Sequence, residues 1–144
     1  MSRVTHQPVL AATLPPTLAA PRFARNEVLA RLHERHLEQL ADEAALLTSE
    51  LVTNAVIHAH SSVDLELYLD EDHIHVSVVD HGEGAPRIRE PDPGGGGQGL
   101  RIVDSIADQW GHEPLHPFGK RVWFDLQTTR CPHDLIDTCD DSYP

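Results

Sequence analysis

The sequence predicts one α+β domain, and three observations carry that expectation. Apolar residues recur at helical spacing between positions 22 and 59; apolar and polar residues alternate over 63–79 and again over 122–126; and a glycine-rich stretch opens onto a further helical pattern at Gly99. The 144 residues suit a single core that needs neither disulfides nor a structural metal. Residues 1–13 form an N-terminal segment with a possible edge strand, 14–127 the domain, and 128–144 an acidic tail.

Pro8 to Leu14 reads as the edge strand, and Pro15, Pro16 and Pro21 punctuate the turn that follows. Phe23, Val28, Leu29, Leu32 and Leu37 then suggest an amphipathic helix from Arg22 to Leu40. A second helix is expected from about Asp42 to Ala59, with Asp42 as its cap, Glu43 at the positive end of the dipole, and Ser61 and Ser62 beyond its end. Val63, Leu65, Leu67 and Leu69 alternate with Asp64, Glu66 and Tyr68, and Ile74 to Val79 repeats the alternation after an Asp-Glu-Asp turn, which together predict an antiparallel hairpin. Asp80 closes the second strand, where its carboxylate can project into a pocket. Pro86 to Gly97, with three prolines and four consecutive glycines, is expected to be a mobile loop feeding a helix over Gly99 to Ala107. Trp110 to Leu115 and the run Val122, Phe124, Leu126 complete the strands, with Trp110 and Trp123 expected in or beside the core.

Composition narrows the function classes. Eleven Lys and Arg against 23 Asp and Glu leave a formal charge of −12, which repels phosphate backbones and anionic headgroups and argues against nucleic acid or membrane as partners. A local nucleotide pocket remains compatible, because a divalent cation and helix N-terminal amides neutralise a polyphosphate where net charge does not. Cys131 and Cys139 match neither a zinc knuckle nor a secreted framework and read as free thiols. Residues 9–20 are apolar but interrupted by Pro15 and Pro16, with no basic cluster ahead, so a soluble protein of a reducing cytoplasm is the expectation. The 11 histidines fall in small groups that lack a completing ligand and read as surface residues; His58 alone shares a helix face with polar residues of interest.

Those residues are Glu50 and Asn54, one helical turn apart and off the stripe of Ala44, Leu47, Leu51, Ala55 and Val56, so that a carboxylate and an amide can face one ligand. Magnesium takes oxygen ligands and keeps several waters, which one amide oxygen from Asn54 together with phosphate oxygens would satisfy. Glu50 is placed to act as a general base. Asp80 can accept from the exocyclic amine of adenine, with Gly82 and Gly84 letting the following loop fold beneath the base. Gly97 and Gly99 are the expected phosphate contacts, at backbone amides opening onto a helix N-terminus.

Taken in order, Glu50-x-x-x-Asn54, Asp80-x-Gly82-x-Gly84 and Gly97-x-Gly99-Leu100 resemble the motifs of the GHKL ATPase superfamily with its Bergerat fold. Within it the chain looks most like the bacterial anti-sigma factors that double as serine kinases, particularly the short stand-alone actinobacterial regulators. The likeness spans about residues 14–127 and includes Ser49 to Ala55 and Gly119 to Phe124. It implies a two-layer α/β sandwich in which helices cover one face of a mixed, mostly antiparallel sheet. It implies ATP and Mg2+ as ligands, Glu50 as catalytic base, Asn54 on the metal, Asp80 on adenine, and Gly82, Gly84, Gly97, Gly99 and Leu100 shaping the pocket. The implied activity is phosphorylation of a serine or threonine on an anti-anti-sigma partner, which sets whether a sigma factor is held; homodimers are usual. The chain departs from the pattern in having Arg121 where a threonine often supports adenine, and in having no arginine immediately ahead of the glycines, which leaves Arg87, Arg89 or Arg101 for that task. These departures frame an alternative, an ATP-gated protein-binding module with little or no phosphotransfer. The catalytic half of a sensor histidine kinase ranks last, since it needs a phospho-accepting helical segment for which this length leaves no room.

Overall fold

A computed structural model describes residues 7–82 and 99–128. In chain order the elements are β1 (Leu10–Leu14), α1 (Ala20–Glu34), α2 (Glu38–Ala59), β2 (Val63–Leu69), β3 (His73–Asp80), α3 (Gly99–Ile106), β4 (Gln109–Pro114) and β5 (Lys120–Gln127). The five strands form one sheet in the order β1-β2-β3-β5-β4, and all four pairings are antiparallel. The expected α+β sandwich is present, and no parallel pair of a mixed sheet occurs among the described residues. Gly84, Gly97, Arg87, Arg89, both cysteines, the whole of the 86–97 loop and the acidic tail beyond residue 128 lie outside those residues.

Strand alternation divides the sheet into two unlike faces. Val63, Leu65 and Leu67 of β2, Ile74, Val76 and Val78 of β3, and Val122, Phe124 and Leu126 of β5 are buried together with Ala44, Leu47, Leu51 and Ala55 of α2. Helix α2 is central: it packs on β2, β3 and β5, with α1 and α3 against it. Burying side chains of this size is worth about 1.5–3 kcal/mol each, so this face supplies most of the stability. The opposite face carries no helix among the described elements.

Two helix boundaries depart from expectation. Helix α1 ends at Glu34, His36 takes a left-handed φ of 61°, and α2 restarts at Glu38, so the single helix expected to Leu40 is interrupted. The step from Leu32 to Leu37 is five residues, which overshoots the helical repeat; Leu37 packs on the core from the turn, and its amide bonds the Leu32 carbonyl at 2.9 Å. Asp42 is therefore an exposed residue inside α2 and not its cap; Leu37 holds the cap position, with no side-chain cap bond.

The β2–β3 turn forms as the Asp-Glu-Asp sequence suggests. The Asp70 carboxylate accepts from the amides of Asp72 and His73 at 2.8 and 2.7 Å, an Asx turn that fixes the register of the hairpin. No helix among the described residues is long and apolar enough to cross a membrane.

Candidate nucleotide site

Asp80 is the last residue of β3 and lies on the helix-covered face, where an apolar side chain would otherwise continue the pattern. Its carboxylate is 1% exposed and Lys120, opposite it in the β3–β5 register, 3% exposed. The Lys120 ammonium donates to Asp80 Oδ2 at 2.8 Å, while the Gly82 amide donates to Oδ1 at 3.0 Å. A carboxylate has about four acceptor positions, so two bonds leave room for a ligand amine.

Local contacts hold this strand end against the end of α2 and against the β4–β5 connection. A Cβ on Gly82 would lie 2.7 Å from the backbone and Cβ of Ala59, the last residue of α2, so only glycine permits this approach. His60 turns the chain out of α2 with a left-handed φ of 54°, and the Ser61 hydroxyl then accepts from the His81 amide at 3.0 Å. Gly119, at φ 98°, carries the β4–β5 connection against the Asp80 carbonyl, where any Cβ would collide, and thereby delivers Lys120 beside the carboxylate.

Glu50 and Asn54 sit on one flank of α2, both half-buried, beside the stripe that faces the sheet. Burial pushes the Glu50 carboxyl above the usual carboxylate range. His58, one turn further, is exposed in the last turn of the helix. Gly99 is the first residue of α3, and Leu100, buried, anchors α3 to the core. Both β3, which ends in Asp80, and α3, which starts at Gly99, pack on α2, the helix that carries Glu50 and Asn54.

A family model described as a histidine kinase-like ATPase domain matches residues 12–125. The chain belongs to that family. Comparison with curated proteins gives no match. As a histidine kinase-like ATPase domain the chain is an ATP-binding module.

Two readings from sequence change at this point. Arg121 does not face Asp80: strand alternation turns it to the open face, where its guanidinium donates to Ser77 Oγ at 3.2 Å and to Glu113 Oε2 at 2.7 Å. Lys120 is the residue that reaches the carboxylate, and sequence reasoning missed it. The available signal was its place two residues before Val122, in phase with Phe124 and Leu126 on the buried face, where a lysine demands an anion. Trp110 packs beside the core and donates from Nε1 to Asp104 at 2.9 Å, as expected of a core neighbour; Trp123 instead lies on the open face over Gly111. Among the described residues no group of three or more His, Cys, Asp or Glu converges as a metal cage. A magnesium ion shared with phosphates needs no such cage, and Asn54 is the side chain whose amide oxygen would hold it.

Proposed function

We propose that this domain is an ATP-dependent serine/threonine protein kinase of regulatory type, acting on a small anti-anti-sigma-like partner and sequestering a sigma factor. The observation that carries the reading is the half-buried pair Glu50 and Asn54, one turn apart on the helix whose end is stapled to the Asp80 strand. Asp80 accepts from the adenine amine, which favours adenine over guanine, whose carbonyl at that position would meet a carboxylate. Asn54 would hold magnesium through its amide oxygen. Magnesium when bound neutralises polyphosphate charge and orients the terminal phosphate. Glu50 takes the proton of the partner's hydroxyl as its oxygen bonds the terminal phosphorus and the bond to the bridging oxygen breaks, releasing ADP.

Isothermal titration with ATP, with and without Mg2+, tests the site. Magnesium-dependent binding lost in Asn54→Ala and absent for GTP is expected; no heat and no thermal stabilisation by saturating ATP would refute nucleotide binding altogether. Glu50→Gln should keep ATP binding and lower phosphotransfer about 10²–10⁴-fold. Because burial raises the Glu50 pKa, the base form is lost at a pH above that of an ordinary glutamate, so transfer falls on the acid side earlier than an exposed carboxylate would dictate. The same shift favours the protonated form in the folded protein, so the native state binds more protons and stability declines as pH rises through the window between unfolded and folded pKa; Glu50→Gln removes that decline.

The second reading, an ATP-gated binding module with little chemistry, is favoured by one observation of the sequence: no arginine stands immediately ahead of the glycines, where its charge would stabilise the terminal phosphate during transfer. Partner sequestration that survives Glu50→Gln and fails with Asn54→Ala would select it.

A further inference from the structure

The open face of the sheet holds a groove of about 580 Å³ that the nucleotide site does not use. Its floor is a row of rings crossing three strands. Tyr68 of β2 meets His75 of β3 edge-on at 5.9 Å between centroids, and His75 stacks on Trp123 of β5 at 5.6 Å and 26°. The row continues onto β4, where Gly111 supplies the space for the indole: a Cβ there would lie 2.8 Å from Trp123 Cζ2. Strand faces turned to water rarely carry three adjacent rings without covering them, because the apolar area gains nothing from hydration.

Around this floor stand four carboxylates, Glu66, Asp70, Glu113 and Asp125, against one guanidinium, Arg121. The carboxylates are oriented by bonds within the face. Glu66 Oε1 accepts from the Tyr68 hydroxyl at 2.8 Å, Asp125 Oδ1 pairs with His75 Nδ1 at 2.6 Å, and Glu113 Oε2 takes Arg121. Each of these bonds uses one oxygen of a group that has about four acceptor positions. Aromatic faces ringed by oriented carboxylates are the chemistry that holds a guanidinium or ammonium, by cation–π contact with the ring and bidentate bonds at the rim.

We propose that this groove binds an arginine-bearing segment of a protein partner, with a guanidinium on the Trp123 indole and its N–H groups on Glu66 and Asp125. Charge decides against the other occupants. Residues 129–144 carry four aspartates against one arginine and are repelled by the face. A second copy of a chain of charge −12 brings the same acidic rim against itself. A basic segment gains from both the rim and the field of the whole protein. This inference is independent of nucleotide binding and stands or falls without it.

The test is titration of the full chain with the blocked peptide Gly-Arg-Gly-Arg-Gly and its glutamate counterpart, read by isotope-labelled NMR at physiological salt. Binding of the arginine peptide alone, with shifts confined to β2, β3, β5 and the Trp123 indole, is expected. Trp123→Leu and, separately, Glu66→Gln should each weaken it about tenfold, while Asp42→Asn on the exposed side of α2 leaves it unchanged. Glu66 touches only the Tyr68 hydroxyl among the described residues, so this variant stays informative if Trp123→Leu fails to fold. Shifts spread evenly over the acidic surface, equal affinity in Glu66→Gln and parent, or a concentration-dependent dimer abolished by Trp123→Leu would each overturn the proposal.

Discussion

On the helix-covered face of the sheet, β3 and β5 contribute charged groups at one register position, Asp80 opposite Lys120, sealed from water and satisfied by each other and by the Gly82 amide. On the open face the same two strands carry His75, Arg121 and Asp125, partly exposed and joined in a lattice of pairs with Ser77 and Glu113. Both faces contain ion pairs at 2.7–2.8 Å, so distance does not distinguish them; desolvation does. A buried pair is costly to break because the survivor is a charge without water, whereas a surface pair is worth about 0–1 kcal/mol since water replaces the lost partner. The comparison teaches that the helix face holds the Asp80–Lys120 pair out of water at fixed geometry, whereas the charges of the open face stay partly solvated and change partners at little cost.

Breaking the buried pair gives the largest expected effect. Lys120→Met leaves the Asp80 carboxylate sealed beneath α2 without its cation and should destabilise the fold by about 3–5 kcal/mol in urea or thermal unfolding. Adding Asp80→Asn to Lys120→Met should recover a large part of that loss, because the uncompensated charge is gone. A Lys120→Met loss below about 1 kcal/mol would show that water reaches the pair and that the two faces do not differ.

The next effect sharpens the comparison with glycines. Gly82 and Gly111 face nearly equal clashes, 2.7 and 2.8 Å, but the neighbour of Gly82 is helix backbone at Ala59 and that of Gly111 is the edge of a surface indole. Gly82→Ala must push the end of α2 from β3 and should cost about 1–3 kcal/mol and weaken ATP binding. Gly111→Ala needs only a rotation of Trp123 toward solvent, at a cost under about 1 kcal/mol, with ATP binding intact. Equal losses in calorimetry would mean that the indole is as fixed as the helix.

How much of this was legible in the sequence differs between the two faces for the same reason. Alternation in Val63 to Leu69 and Ile74 to Val79 revealed both strands and which residues face the core, because burial forces a period of two. Glu50, Asn54, Asp80 and Gly82 were legible as an ordered set, and the structure shows Gly82 seated against Ala59 at the end of α2. Lys120 was not, because a lysine next to an arginine looks like a solvated pair until the register places it against Asp80. The break at His36 was hidden because a non-glycine residue takes the left-handed turn there, and the helix ends without a glycine or proline to mark it. The ring row of Tyr68, His75 and Trp123 spans three strands, so no local spacing in the chain announces it.

The smallest effect is expected at Arg121, where the two faces should respond with opposite signs. Threonine at this position removes the pair with Glu113 and the bond to Ser77, but the first is surface-exposed and threonine suits a half-buried strand, so stability should change by less than about 1 kcal/mol. ATP affinity should stay within about twofold of the parent, since the side chain points away from Asp80 and the Lys120 pair is untouched. On the open face the same substitution removes the single guanidinium among four carboxylates and frees Glu113, so the arginine peptide should bind a few-fold tighter. A tenfold change in ATP affinity in titration of Arg121→Thr would place this residue on the nucleotide side after all; unchanged peptide affinity would show that Arg121 and Glu113 take no part in the groove's charge balance.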